Sequence, residues 1–297
     1  MPLSAKPING MTTIESALRS ASRTFTERGM TDSPQLDAQI LLAHVLKQNR
    51  TYLFTWGDQL LNDEQLQAFT ALCQRRLLGE PVAHLTGCRE FWGMLLKVNE
   101  FTLIPRPDTE ILIESILQRY SPPGEGKRFL DMGTGSGAIA LALKKEYPEA
   151  QISALDFSED ALQVARENAQ KHALTINLLH SDWFSALPKN PLFDLIVSNP
   201  PYIEEKDPHL LQGDVRFEPI SALTAGSDGL NDIRILTEQS RGFLKPGGWL
   251  FIEHGYNQAD AVAQLFTQAG FDAVQLISDY GGNPRVTLGQ VPETSRL

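Results

Sequence analysis

Apolar side chains recur at helical spacing through residues 12–80. Leu36, Ile40, Leu41 and the Val45–Leu46 pair are one such stripe. Three helices are therefore expected, Thr13 to Arg28, Pro34 to Lys47 and Asn62 to Leu78. Asp32 and Ser33 ahead of Pro34, and Asn62 ahead of Asp63 and Glu64, supply start signals. Gly and Pro are sparse here, which predicts a small helical domain over residues 11–85. Met11 reads as the start of ordered structure, with residues 1–10 as a flexible extension.

The pattern changes at residue 86. Glu90-Phe91-Trp92 and Leu95-Leu96-Lys97-Val98, separated by Gly93, predict a β-hairpin, and residues 86–104 are expected to link two domains. Ile104-Pro105-Arg106-Pro107-Asp108-Thr109-Glu110 then opens a helix running to about Tyr120.

From Lys127 the period alternates between strand and helix. Strands are expected at 128–132, 151–156, 176–180, 193–198, 248–253, 272–277 and 286–290, and helices at 137–147, 158–172, 231–241 and 257–269. Strands alternating with helices of this length imply βαβ units and a mainly parallel sheet covered on both faces. Only the loop SDYGGNP separates the last two strands, so they should pair antiparallel. The fold class predicted is α/β over residues 105–297, preceded by the helical domain.

Composition narrows the function. A length of 297 residues suits two domains on a prior of about 100–200 residues each. Lys and Arg total 26 against 36 Asp and Glu, a formal charge of −10. A chain whose target is duplex nucleic acid usually carries a basic footprint, so no direct nucleic-acid contact is expected. No stretch approaches about 18 uninterrupted apolar residues, and the first ten residues lack an apolar signal core, so neither a membrane span nor a secretory signal is expected. Cys73 and Cys88 are not spaced as a metal knuckle and read as reduced thiols. No metal site is expected, and the expected location is the cytoplasm.

Two segments carry chemistry. In Arg128-Phe129-Leu130-Asp131-Met132-Gly133-Thr134-Gly135-Ser136-Gly137-Ala138, a strand turns into a helix through alternate glycines, which let a backbone approach a ligand closely. Asp156 follows Gly133 by 23 residues, at the end of the next strand, where a carboxylate can hold two ribose hydroxyls. Gly133-x-Gly135-x-x-Ala138 also satisfies the dinucleotide fingerprint, so a nicotinamide dehydrogenase is a rival reading. Asp131 favours a cationic ligand such as S-adenosylmethionine over a phosphate-bearing one.

The second segment is Phe193-Asp194-Leu195-Ile196-Val197-Ser198-Asn199-Pro200-Pro201-Tyr202. Two prolines stiffen a loop that leaves the carboxyl end of a strand, where open α/β sheets bind ligands. A planar NH₂ group has two donors. The Asn199 side-chain oxygen and the Pro200 carbonyl can each accept one, with the Tyr202 ring covering the flat group. Such a loop suits methylation of an amide or amine nitrogen and has no use in a dehydrogenase. Adenine N6 presents the same two donors, so a nucleic-acid adenine methyltransferase stays open, as does a non-catalytic binding module.

These stretches together resemble the release factor glutamine-N5 methyltransferases of the PrmC/HemK type. The resemblance runs from about Met11 to Gln290 and includes Gly79-Glu80-Pro81, His84 to Gly87, Arg89-Glu90-Phe91-Trp92, Ile104 to Glu110, Leu130 to Ala140, Ser181-Asp182-Trp183-Phe184, Ser198 to Ile203, Gly213 to Pro219 and Arg285 to Leu288. It implies a class I Rossmann-like methyltransferase domain with a seven-stranded sheet and a helical N-terminal domain that docks the substrate protein. It implies S-adenosylmethionine held by Gly133, Thr134, Gly135, Ser136, Gly137, Asp156, Trp183 and Asn199. It also implies the glutamine of a Gly-Gly-Gln motif in class-1 release factors held by Asn199, Pro200, Pro201 and Tyr202. Asn199, Pro200 and Tyr202 are the expected catalytic set, and the chain is expected to act as a monomer.

Other positions have plainer readings beside the functional one. Trp183 can lie against adenine or be ordinary packing. Asp182 can accept from the adenine amino group or be a solvated carboxylate. Arg106, Asp108 and Glu110 can border a substrate entrance or cap a helix. His254, in Glu253-His254-Gly255, reads as structural more readily than as catalytic.

Overall fold

A computed structural model describes residues 12–29, 31, 33–188 and 193–293. The expected extension over residues 1–10 and the start signal Asp32 lie outside them. The chain forms two compact units: one holds residues up to Gly87 together with Pro208–Phe217, and the other holds Cys88–Asp207 and Glu218 onward.

The first unit is helical, with α1 (Ile14–Glu27), α2 (Pro34–Leu46), α3 (Arg50–Thr55), α4 (Asp63–Leu77) and α5 (Val82–Thr86). Thr13 and Asn62 each cap their helix through a side-chain oxygen, in a reciprocal box with the third helical residue. Ser33 makes no such bond; Pro34 at the first helical position is what pre-sets α2. The core gathers Ile14, Phe25, Leu41, Leu42, Leu53 and Phe69. Helices α3 and α5, of six and five residues, are too short to declare themselves by periodicity.

Pro208–Phe217 belongs to this unit through buried Arg76. Its guanidinium donates to Asp37 at 2.9 Å and to Asp214 at 2.8 Å, joining α2, α4 and the inserted segment. A buried charge needs such partners.

The second unit opens with β1 (Cys88–Phe91) and β2 (Met94–Lys97). Trp92 and Gly93 both have positive φ, the two-residue turn whose twist suits a hairpin. The hairpin expected to link domains lies within this unit. Asn168 accepts from the Lys97 amide at 2.6 Å and donates to the carbonyls of Lys97 and Ser136, at 2.9 Å each.

The helix expected from Ile104 starts later. Arg106, held between two prolines, is extended (φ −98°, ψ 146°), a 3₁₀ turn covers Pro107–Thr109, and α6 spans Glu110–Leu117. There follow β3 (Arg128–Met132), α7 (Ala138–Glu146), β4 (Gln151–Asp156), α8 (Glu159–Lys171), β5 (Asn177–His180), β6 (Phe193–Ser198), α9 (Asn231–Ser240), β7 (Leu244–Glu253), α10 (Ala259–Gln268), β8 (Asp272–Ser278) and β9 (Pro284–Gln290).

The seven-stranded sheet has the order β5-β4-β3-β6-β7-β9-β8. β5 through β7 are parallel, and β9 is antiparallel to both β7 and β8. Alternation along the strands sends Phe129, Leu195, Val197 and Phe251 to a core with α6 and α7. It sends Leu130, Met132, Ile196 and Leu250 to the opposite core with α9 and α10. Both faces are covered, as a parallel sheet requires. Strand order reverses between β3 and β6, which opens a crevice at their carboxyl ends. Among the described residues no helix is long and apolar enough to cross a membrane.

Candidate active site

The glycine turn and the Asn-Pro-Pro-Tyr loop leave the carboxyl ends of adjacent strands. Met132 pairs with Ser198 in the β3–β6 ladder, and the Ser198 hydroxyl donates to the Met132 carbonyl at 2.7 Å. A cavity of about 390 Å³ opens there. Gly133, Thr134, Gly135, Ser136, Asp156, Asp182, Trp183, Asn199 and Pro201 line it, so most of the expected site residues meet in one place. The volume lies within the usual range for a small-molecule site.

The turn is held from β4. The amides of Gly133 and Thr134 both donate to the Leu155 carbonyl at 2.9 Å. Asp156 accepts from the Gly135 amide at 2.8 Å and from the Ser158 amide at 2.9 Å. Burial raises its pKa, and these amides offset part of that. A carboxylate has about four acceptor positions, so hydroxyls of a ligand can still be accepted.

Trp183 takes positive φ, 45°, with its indole beside Asp232 and the ring about 3.8 Å from where a side chain on Gly133 would begin. Gly133, at φ +72°, thus leaves open the space beneath the ring. Asp182 is exposed.

Four expected residues do not line the cavity. Gly137 (φ +85°) caps α7, and a side chain on it would meet the Ala165 Cβ at 3.2 Å; its role is close helix packing. Asp131 lies fully buried behind the turn. It accepts from the Thr134 hydroxyl at 2.6 Å and the Ala140 amide at 3.1 Å, while Oδ1 has no partner. Burial pushes its carboxyl up to about 7. Pro200 is buried. Tyr202 is half-buried, its hydroxyl beside Glu253 and its carbonyl accepting from Gln258 at 2.9 Å.

Asn199 has one committed end. Its Nδ2 donates to the Thr109 hydroxyl at 3.1 Å, and its buried Oδ1 has no partner. His254 bonds Thr287 at 2.8 Å and the Gly255 carbonyl at 2.9 Å, and burial keeps its pKa low, which is a structural placement. Among Arg106, Asp108 and Glu110, Arg106 pairs with Glu218, Asp108 lies 3.3 Å from Arg285, and Glu110 accepts from the Trp92 amide at 2.8 Å.

Sequence reasoning passed over Thr109, Glu253 and Asp232. A carboxylate ending the apolar run Leu250-Phe251-Ile252 beside β6 was the available signal for Glu253. The cavity's charged lining consists of Asp156, Asp182 and Asp232, with no Lys, Arg or His among the described residues. Such a wall suits a cation and opposes phosphates. No group of three His, Cys, Asp or Glu able to hold a metal occurs among the described residues.

The same chain shares its sequence with known proteins on both units. Residues 16–87 match the PrmC N-terminal domain, and residues 107–213 match the methyltransferase small domain. The release factor glutamine methyltransferase of Escherichia coli (strain K12) is 54% identical over 260 residues, covering 87% of this chain and 93% of that protein. The release factor glutamine methyltransferase of Vibrio cholerae is 49% identical over 280 residues, covering 94% and 96%. A methyltransferase from Pyrococcus furiosus shares the fold at 18% identity, with a TM-score of 0.51 over 74% of this chain and 97% of that one. With glycine turn and Asn-Pro-Pro-Tyr loop facing one acidic cavity, and with identity of this extent along nearly the whole length of those proteins, the chain belongs to the release factor glutamine methyltransferase family.

Proposed function

We propose that this chain methylates the side-chain nitrogen of the glutamine in the Gly-Gly-Gln motif of class-1 peptide chain release factors, with S-adenosylmethionine as donor. The observation that carries this is the buried Asn199 Oδ1, an acceptor without a partner on the wall of an acidic cavity.

The residues fit the donor. Gly133 and Gly135 let the backbone approach, Asp156 has acceptor positions left for a ribose diol, and Trp183 offers a ring face. Asp131 Oδ1, buried and unpaired, adds negative potential suited to an ammonium or sulfonium. When bound, S-adenosylmethionine supplies a methyl group on positively charged sulfur.

The chain's part is alignment. An amide nitrogen is a poor nucleophile, and orientation can supply roughly 7–11 kcal/mol of such a barrier. Asn199 Oδ1 accepts one N–H of the glutamine amide, and the Pro200 carbonyl accepts the other. The two prolines keep those acceptors from relaxing away. The amide gives up one proton to solvent as it gains the methyl.

The test is transfer of radiolabelled methyl from S-adenosylmethionine to a purified class-1 release factor. Label in the protein is expected. Label appearing in adenine of DNA or RNA, and none in the release factor, would overturn the reading.

A further inference from the structure

We propose that Thr109 and Glu253 are positioning residues that fix which end of the Asn199 amide faces the substrate. This rests on the reading of Asn199 given above.

An asparagine amide has two ends of nearly equal shape and opposite hydrogen-bonding sense. Turned one way, Asn199 offers an acceptor to an incoming NH₂ group; turned the other way, it offers a donor against a donor. Packing cannot distinguish the two. Here the choice is made by a chain of polar groups that starts at Thr109 on the cavity wall and ends at buried Glu253.

Asn199 Nδ2 donates to the Thr109 hydroxyl at 3.1 Å. Thr109 is 4% exposed and its hydroxyl lies beside the Glu253 side chain. Glu253 is 1% exposed, lies beside the Tyr202 hydroxyl as well, and its Oε2 has no partner. An ionised carboxylate only accepts. With the unpartnered oxygen of a buried carboxylate beside it, the Thr109 hydroxyl turns its single hydrogen to Glu253 and keeps its lone pairs for Asn199. The nitrogen end of Asn199 must turn to Thr109, which leaves Oδ1 for the cavity, where it has no partner.

Glu253 thus sits at the end of two short relays. One sets Asn199 and the other holds Tyr202, two residues of the loop that grips the amide. The positive Arg285 nearby favours the ionised state that gives the relay its sense. Thr109 arrives from the Pro107–Thr109 turn and Glu253 from the end of β7, so three separate elements converge on one amide.

The test compares wild type with T109S, T109V and E253Q. Each is assayed for kcat and KM on the release factor, and for S-adenosylmethionine affinity by calorimetry. Val keeps the shape of Thr and removes the hydroxyl; Ser keeps the hydroxyl. T109V is expected to lower kcat on the order of 100-fold, the scale of loss when reacting groups are misaligned. T109S should recover to within about threefold of wild type, and donor affinity should hold in both. T109V at the wild-type rate, or T109S as slow as T109V, would overturn the inference. Should T109V fail to bind the donor, E253Q decides: an amide at 253 can donate to Thr109 and reverse the chain, so a lowered kcat with retained donor affinity supports the relay, and a wild-type kcat refutes it. A wild-type enzyme that labels no release factor would instead remove the reading of function, and this inference with it.

Discussion

Asp156 Oδ2 accepts a 2.8 Å hydrogen bond from the Gly135 amide, so the carboxylate expected to hold ribose also shapes the turn that faces it. Asp156→Ala removes both. Hydrogen bonds to charged groups contribute about 1.5–3 kcal/mol. Affinity for S-adenosylmethionine should fall by roughly 10- to 100-fold, measured by calorimetry. Unchanged affinity would place the donor elsewhere.

Asn199 offers the substrate an acceptor, so a carboxylate in place of the amide meets oxygen with oxygen. A release factor with Gly-Gly-Glu should go unmethylated, by a factor that can reach roughly 10⁴–10⁵ at sites built on such bonds. Asn199→Ala should likewise nearly abolish turnover while the protein stays folded. Methylation of the glutamate form would count against the amide-holding role of the loop.

Glu253 is pushed up to about 7 by burial, against the Thr109 and Tyr202 hydroxyls and Arg285, with Asp108 adding to the rise; the adjacent His254 is held low by its own burial. Turnover requires the carboxylate. At saturating donor, kcat should therefore fall as pH drops through about 7, and Glu253→Gln should abolish that limb. Asp131 also titrates near 7, but its charge serves donor binding, so its protonation belongs in the KM for S-adenosylmethionine. Stability of the unliganded protein runs the other way. Both carboxyls bind a proton more tightly folded than unfolded, so their contribution is complete below about 4 and is lost as pH rises through about 7. Asp131→Asn should flatten that decline in Tm.

Gly229 lies outside the cavity lining yet backs the loop. It has φ +69°, and a methyl group built on it would sit 2.2 Å from the Tyr202 carbonyl oxygen. Gly229→Ala combines a left-handed backbone with a clash, so the loop must shift. An approximately 1 Å misplacement can cost about 100-fold in rate. Loss of kcat with donor affinity retained is expected; a variant as fast as wild type would show that Tyr202 tolerates displacement.

Much of this was legible in the residue pattern. β3, β4 and β6 fall at the expected residues because each is an apolar run ending in a residue type the crevice needs, Asp131-Met132-Gly133, Asp156 and Ser198-Asn199. β7 begins four residues before its expected start, at Leu244, because the Phe193–Leu244 pairing extends it past Pro246 and two glycines that locally argue for a turn. Membership of Pro208–Phe217 in the helical unit depends on Arg76 meeting Asp214, 138 residues away, which no local pattern encodes. The relay was missed for a related reason. In the Ile104–Glu110 stretch the charged residues drew notice and Thr109 did not, and in Glu253-His254 the histidine did. Burial and partners, absent from a one-dimensional string, decide that Thr109 meets Asn199 and lies beside Glu253 while His254 bonds Thr287.

The most direct measurement is peptide mapping by tandem mass spectrometry of a class-1 release factor incubated with this protein and S-adenosylmethionine. A single added methyl on the glutamine side chain of Gly-Gly-Gln, absent when that glutamine is replaced by alanine, is the predicted result. An unmodified Gly-Gly-Gln peptide, from enzyme shown by calorimetry to bind the donor, would contradict it.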